Sequence, residues 1–377
     1  MAIRALIAPS RYVQGKDALL HLGENLKRLG NKPLLVAGDT SWKASGEKVA
    51  QSLEPAGFEV VRLPFAGYTT AKVINEIADE IKRGGYDIVV GFGGGSCLDA
   101  VKSAGHIANI KWASVPTIAS TDAPCSALAV VYTEDGAFEE YRFFPHNPDF
   151  VLVDSQLVAD APVRYLIGGI GDALATYPEA LAVYSSGANT MAGALPTASA
   201  LTLSKLCWDT LHEYGMQAVD AVKHHVVTPA LERVIEANTL LSGIGFESGG
   251  LAAAHAIHDG LTAATETHGM THGEKVTIGT MAMFVLEGRP DDEVADFVEF
   301  TTRIGLPNTL TEANLRDVDD ATLWKCAEAA TAEGETIHTM PFKVTAEDVF
   351  NALKGIEGFS RSVRAARGLP EPKPIGH

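Results

Sequence analysis

Cysteine is scarce in this chain of 377 residues, with four scattered at Cys97, Cys125, Cys207 and Cys326 and no C-x-x-C pair. That scatter excludes a disulfide framework and a thiolate zinc site, and it fits a reducing compartment. Basic runs are also missing: no five consecutive residues are Lys or Arg, and 30 basic residues face 47 acidic ones for a formal charge of −17. A surface of that sign repels nucleic acid and anionic membrane, so neither is expected as a partner. No stretch holds 18 uninterrupted apolar residues, the length a membrane-crossing helix needs. The opening MAIRALIAPSRYVQG has neither the apolar core nor the cleavage pattern of a leader, so the expected location is cytoplasmic. Internal repeats and low-complexity segments are absent too.

What remains is a globular composition, 46% hydrophobic and 20% charged with 36 glycines, in a chain long enough for two domains. Over residues 1–160, short apolar runs alternate with helix-like stretches. KPLLVAGD, FEVVRLPF, YDIVVGF, KWASVPTIAS, ALAVVYT and DFVLVD read as strands. GEKVAQSLEPAG, TTAKVINEIADEIKRGG and Cys97–Ala108 read as helices. The alternation predicts a mostly parallel, doubly wound α/β sheet. From about Asp160 the periodicity is helical nearly to the end, which predicts an all-α domain over 161–377.

Gly93, Gly94 and Gly95 stand where the strand YDIVVGF hands over to a helix. Unpaired N–H groups and the helix dipole make such a junction an anion cradle, and glycine lets a pyrophosphate approach the backbone. A tight turn is the other reading. The pattern is neither G-x-G-x-x-G nor a G-K-[ST] phosphate loop. Asp39, at the end of KPLLVAGD, can accept hydrogen bonds from an adenosine ribose and repel a 2′-phosphate, which favours NAD over NADP; capping the next helix is the alternative.

The helical half carries a second constellation. Asp172 lies among Ala173, Leu174 and Ala175, where a carboxylate without a partner is costly to bury. His255 is set among alanines, and His272 opens a helical run at Gly273-Glu274-Lys275. One Asp and two His would make a three-ligand zinc site with an open position, the arrangement suited to catalysis, although no spacing rule makes them converge. His258 and His268 read as ordinary hydrogen-bonded core histidines. Asp122, in a polar loop with Thr117, Ser120, Thr121 and Ser126, could orient a substrate hydroxyl or start the turn that Pro124 continues.

Taken together, GGGSCLDAVK, VPTIASTDAPCSALAVVYT, GIGDALAT, GGLAAAHAIHDG and HGEKVTIGT resemble, in order and spacing, the glycerol dehydrogenases, the zinc-using branch of the iron-containing alcohol dehydrogenase superfamily. The resemblance implies a Rossmann-like NAD-binding domain over 1–160 and a helical metal-binding domain over 161–377. This is the architecture shared with dehydroquinate synthases, with the active site in the cleft between domains. It implies zinc on Asp172, His255 and His272, a polyol contact at Asp122, and catalytic roles for Asp122 and His255. It implies NAD against Asp39, Gly93, Gly94, Gly95, Ser96, Cys97, Thr117, Ser120, Ser126, Leu128 and Tyr132. The expected reaction is oxidation of glycerol to dihydroxyacetone, or of a related diol, by a homo-oligomer as large as an octamer. A relative acting on another small or phosphorylated polyol is the alternative, but a phosphate would want a basic residue near Asp122, and STDAPCSALAV has none. Ser96-Cys97 replaces a more usual Lys-Thr, and Tyr177-Pro178 a Trp-Phe. Thr176 stands where iron-dependent relatives place a further histidine, which leaves three ligands and favours zinc.

Overall fold

The computed structural model describes residues 2–136 and 138–375. The chain divides into two compact units: Ile7–Leu166 with Asp220–Gly243, and Met1–Leu6 with Ile167–Val219 and Ile244–His377. Among the described residues, no helix is long and apolar enough to cross a membrane.

The first unit is built on a six-stranded, all-parallel sheet. Its strands run Tyr12–Gly15, Phe150–Asp154, Lys111–Pro116, Ile88–Gly93, Pro33–Ala37 and Arg62–Pro64 in spatial order. Pro33–Ala37 and Ile88–Gly93 are buried along their whole length, as expected of strands covered on both faces. Leu35, Ala37, Ile88, Val90 and Phe92 pack on one side with Leu22, Val49 and Leu53. Leu34, Val36 and Val89 pack on the other with Ile74, Ile81, Val101 and Ala104. The period-2 alternation thus makes two cores, one beneath each layer of helices.

One strand reading is corrected, and one strand lies outside those read from the sequence. ALAVVYT does not join the parallel sheet: Leu128–Tyr132 pairs antiparallel with Phe138–Phe143 as a separate hairpin. The edge strand Tyr12–Gly15 lies in a stretch with too few apolar residues to signal it. Apolar content shows that a segment is extended, not which partner it pairs with.

The second unit is helical, apart from a short parallel pairing of Arg4–Ala5 with Leu195–Pro196. Two segments depart from a single boundary near residue 161. Residues 2–6 pack with the helical unit, and 220–243 with the sheet. There Gln14 Nε2 donates to Glu232 Oε2 at 2.6 Å, Ser155 Oγ donates to Glu232 Oε1 at 2.5 Å, and Asn238 Nδ2 donates to Ala119 O at 3.1 Å. Helical periodicity identifies a helix but not the core it packs on.

Candidate functional site

Three helices bring the acid and the two imidazoles together. Val163–Ser186 carries Asp172, Ala253–Leu261 carries His255, and His272–Glu287 begins at His272. Small residues allow this approach. A Cβ on Gly273 would lie 1.7 Å from Gly168 O, and one on Gly279 would lie 2.1 Å from Ala254 O. Any side chain at either position would push the helices apart. A capping box of Thr271 and Glu274 fixes where the His272 helix starts.

His272 Nε2 is 3.1 Å and His255 Nε2 is 3.3 Å from Asp172 Oδ1. The three ligand atoms all lie within 4.8 Å of one another. Bonds of about 2.0–2.1 Å at tetrahedral angles place ligand atoms about 3.3 Å apart, so the set fits a divalent ion. The electrostatics agree. Burial would raise the Asp172 carboxyl, but the His272 and His255 imidazoles outweigh it and hold the group below the usual carboxylate range. Burial would lower His255, but the Glu179 carboxylate, followed by Asp172, raises it.

Glu179 was not picked out from the sequence. Its Oε2 lies 2.6 Å from His255 Nδ1, and its Oε1 accepts from the backbone N–H groups of Ala252 and His255 at 2.9 Å each. The signal was available, since Asp172, Thr176 and Glu179 fall four and then three residues apart on one buried helix face. A carboxylate on Nδ1 fixes the tautomer that leaves Nε2 as a lone-pair donor, the usual outer support of a ligating histidine. In Glu179→Gln the amide would donate to Nδ1 and drive the proton onto Nε2. Competitive zinc titration should show affinity lower by roughly 10–100-fold in a folded protein. Unchanged affinity would remove Glu179 from this role.

His258 stands beside the cluster without joining it: its ring is 4.2 Å from that of His272, and Nδ1 is 2.9 Å from Asp259 Oδ1. Burial and the neighbouring His272 push it down to about 3, so it stays neutral. His268 is hydrogen-bonded to Thr262 O at 3.1 Å but is exposed, which corrects the reading of it as a core histidine. Nearby, burial and Asp259 push Glu335 up from 4.5 to about 7. A carboxyl raised on folding contributes its full stability below about 4.5 and loses it as pH rises through about 7. Glu335→Gln should therefore raise the melting temperature at pH 8 and leave it unchanged at pH 4.5. The gain is about 1 kcal/mol once exposure is discounted, and equal shifts at both pH values would refute the assignment.

The glycine turn lies in the α/β unit. Gly93 ends its strand, Gly94 (φ −87°, ψ −174°) precedes the helix, and Gly95–Ala108 begins directly. None of the three takes a positive φ, so backbone conformation does not require them. At Gly93 packing does, because a Cβ would fall 2.9 Å from Cys97 Cβ. At Gly95 the nearest atom would be 3.7 Å away. The chain itself leaves room there, which agrees with space kept for a ligand. Parallel register sets Ala37, Phe92 and Val115 level with one another. Asp39, Gly94–Cys97 and Thr117 therefore follow at one carboxyl edge of the sheet, where α/β proteins bind ligands.

Other side chains assigned to the nucleotide are engaged within the protein. The Cys97 thiol points to Val36 O at 3.5 Å, and burial pushes it up to about 12. Ser126 Oγ accepts from the buried Lys102 ammonium at 3.0 Å, which also donates to Ala123 O at 2.9 Å and Leu128 O at 2.5 Å. Ser120 is half-buried, and the Tyr132 ring lies 5.8 Å from that of Tyr68. Asp39 is the first residue of helix Asp39–Leu53 and not its cap, a position held by Gly38. Asp122 precedes the short turn Ala123–Cys125 without capping it, and its Oδ2 accepts from Ser242 Oγ at 2.7 Å.

The sequence profile described as iron-containing alcohol dehydrogenase matches residues 9–155. A glycerol dehydrogenase of Escherichia coli O6:H1 is 47% identical over 350 residues, covering 93% of this chain and 95% of its own. The chain belongs to the iron-containing alcohol dehydrogenase family. Another relative, a glycolaldehyde reductase of Halobacterium salinarum, is 46% identical over 95% of this chain and 98% of its own. The solved structure of a glycerol dehydrogenase from Schizosaccharomyces pombe matches at a TM-score of 0.96 and 34% identity, covering 100% of this chain and 96% of that one. In this member of the iron-containing alcohol dehydrogenase family, Asp172, His255 and His272 form a cluster with the ligand atoms and spacing to hold a metal ion.

Proposed function

We propose that the chain is an NAD-dependent glycerol dehydrogenase that converts glycerol to dihydroxyacetone, and oxidises related vicinal diols, with zinc held by Asp172, His255 and His272. The observation that carries this reading is the Asp–His–His cluster, with Asp172 and His255 buried, His272 half-buried and Glu179 behind His255. The identity to glycerol dehydrogenases over nearly the whole chain supports it. Three ligands with Thr176 buried beside them, four residues after Asp172, support zinc over iron.

Oxidation removes a hydroxyl proton and a hydride from the same carbon. A divalent ion held by Asp172, His255 and His272 would supply Lewis acidity toward a hydroxyl, and NAD would supply the hydride acceptor. The protein's own groups do the rest. With an ion in place, Glu179 would hold the proton of His255 on Nδ1 and leave Nε2 as the donor, and Asp172 would contribute the negative charge that offsets the ion's. Asp122, oriented by Ser242, is the acceptor for a polyol hydroxyl. The N–H groups of Gly95, Ser96 and Cys97 would face the pyrophosphate, Asp39 would bind the ribose, and Thr117, Ser120 and the 126–132 segment would complete the nucleotide contacts.

A second reading follows from the nearly equal identity to a glycolaldehyde reductase: the same groups working in the reductive direction on a small hydroxyaldehyde. Turnover of glycerol and 1,2-propanediol with NAD, and of dihydroxyacetone and glycolaldehyde with NADH, separates the two by kcat/KM. Chelation should abolish all four activities and added zinc should restore them. Full activity in metal-free protein would overturn the proposal.

A further inference from the structure

The outermost strand of the sheet places a cation against Asp39. Arg62–Pro64 pairs parallel with Pro33–Ala37, Arg62 opposite Leu35. From there the guanidinium reaches toward the carboxyl end of the neighbouring strand. Nε and Nη2 donate to Ala37 O at 3.3 and 3.0 Å, and Nη2 also donates to Asp39 Oδ1 at 2.5 Å. The Arg62 Cζ lies 5.5 Å from the Trp42 ring centroid. The Arg62 side chain is 21% exposed and that of Asp39 93%, so the cation is anchored while the carboxylate stands in solvent. Arg62 Nη1 has no hydrogen-bond partner among the described residues.

We infer that Arg62 makes the adenosine-ribose subsite accept a 2′-phosphate, so that the protein uses NADP as well as NAD. The inference rests on the reading of Asp39 as the ribose contact. An unpaired carboxylate at this strand end rejects a 2′-phosphate by like-charge repulsion. Here a guanidinium in direct contact offsets that charge, and its outer N–H groups have the planar geometry that phosphate oxygens match. Two bonds to Ala37 O and the Trp42 face hold the fork in place, so little side-chain freedom is lost on binding. Asp39 Oδ2 remains to accept from a 2′-hydroxyl.

The test uses the full-length, zinc-loaded protein and two readouts: kcat/KM with glycerol for each nucleotide, and direct titration with NADH and NADPH. Arg62→Gln, which keeps a donor for Ala37 O but not the charge, should lower NADP kcat/KM and NADPH affinity about tenfold while moving the NAD values much less. Arg62→Lys should recover part of the loss. Asp39→Asn should raise NADP use. Absence of NADPH binding by the wild type, or an Arg62→Gln effect equal on both nucleotides, overturns the inference. If Asp39→Asn changes neither nucleotide, the ribose assignment fails and the inference with it. A response to Asp39→Asn without one to Arg62→Gln sinks the inference alone.

Discussion

Asp172→Asn is expected to leave a folded protein that no longer retains a divalent ion through dialysis and oxidises glycerol at least about 10³-fold more slowly, the equivalent of several kcal/mol of lost Lewis-acid assistance. The amide keeps the volume of the carboxylate in its buried position but removes the charge and one of three ligands. His272 and His255 then face a group that cannot offset an ion's charge. NADH affinity should be nearly unchanged, because the glycine turn belongs to a separate compact unit. Zinc stoichiometry by elemental analysis, beside NADH titration, checks both halves. Full zinc content with wild-type turnover would show that the cluster is not the metal centre.

Lys102→Met should produce the second large effect, on stability. The fully buried ammonium ion-pairs with Asp99 Oδ1 at 2.7 Å and donates to Ala123 O, Ser126 Oγ and Leu128 O. Asp99 Oδ2 in turn accepts from Val130 N at 3.0 Å. Methionine fills the space but leaves a buried carboxylate without its counter-charge and removes the donor that three acceptors share. Breaking a buried pair from one side costs about 3–5 kcal/mol, a fall of about 10 °C in melting temperature. Burial already raises the Asp99 carboxyl, so Asp99→Asn in the same chain should recover part of the loss. A Lys102→Met protein as stable as the wild type would mean that this pair does not hold the 123–130 segment to the glycine-turn helix.

Both effects show where a linear reading stops. Lys102 is legible as a helical residue in GGGSCLDAVK, yet its partners lie on a turn and hairpin 21 to 26 residues later. Glu179 shares a helix face with Asp172, but its partner His255 is 76 residues away. Arg62 reads as one charge in a short strand, and only strand order sets it beside Asp39.

Local rules carried much of the rest. Period-2 runs and intervening helices specify a buried parallel sheet, because both signals arise within a few residues. Three glycines between a strand and a helix mark a junction suited to an anion, since the helix supplies unpaired N–H groups wherever it starts. The residue types at Asp172, His255 and His272 mark a candidate ligand set, and small neighbours specify close helix packing. Convergence itself was a tertiary decision. His272 meets a carboxylate 100 residues away because Gly168, Gly273 and Gly279 remove the side chains that would keep the helices apart. Tertiary packing also assigned 220–243 to the sheet and the 128–143 hairpin outside it, since an amphipathic or extended segment records that it has an apolar face but not which surface will cover it.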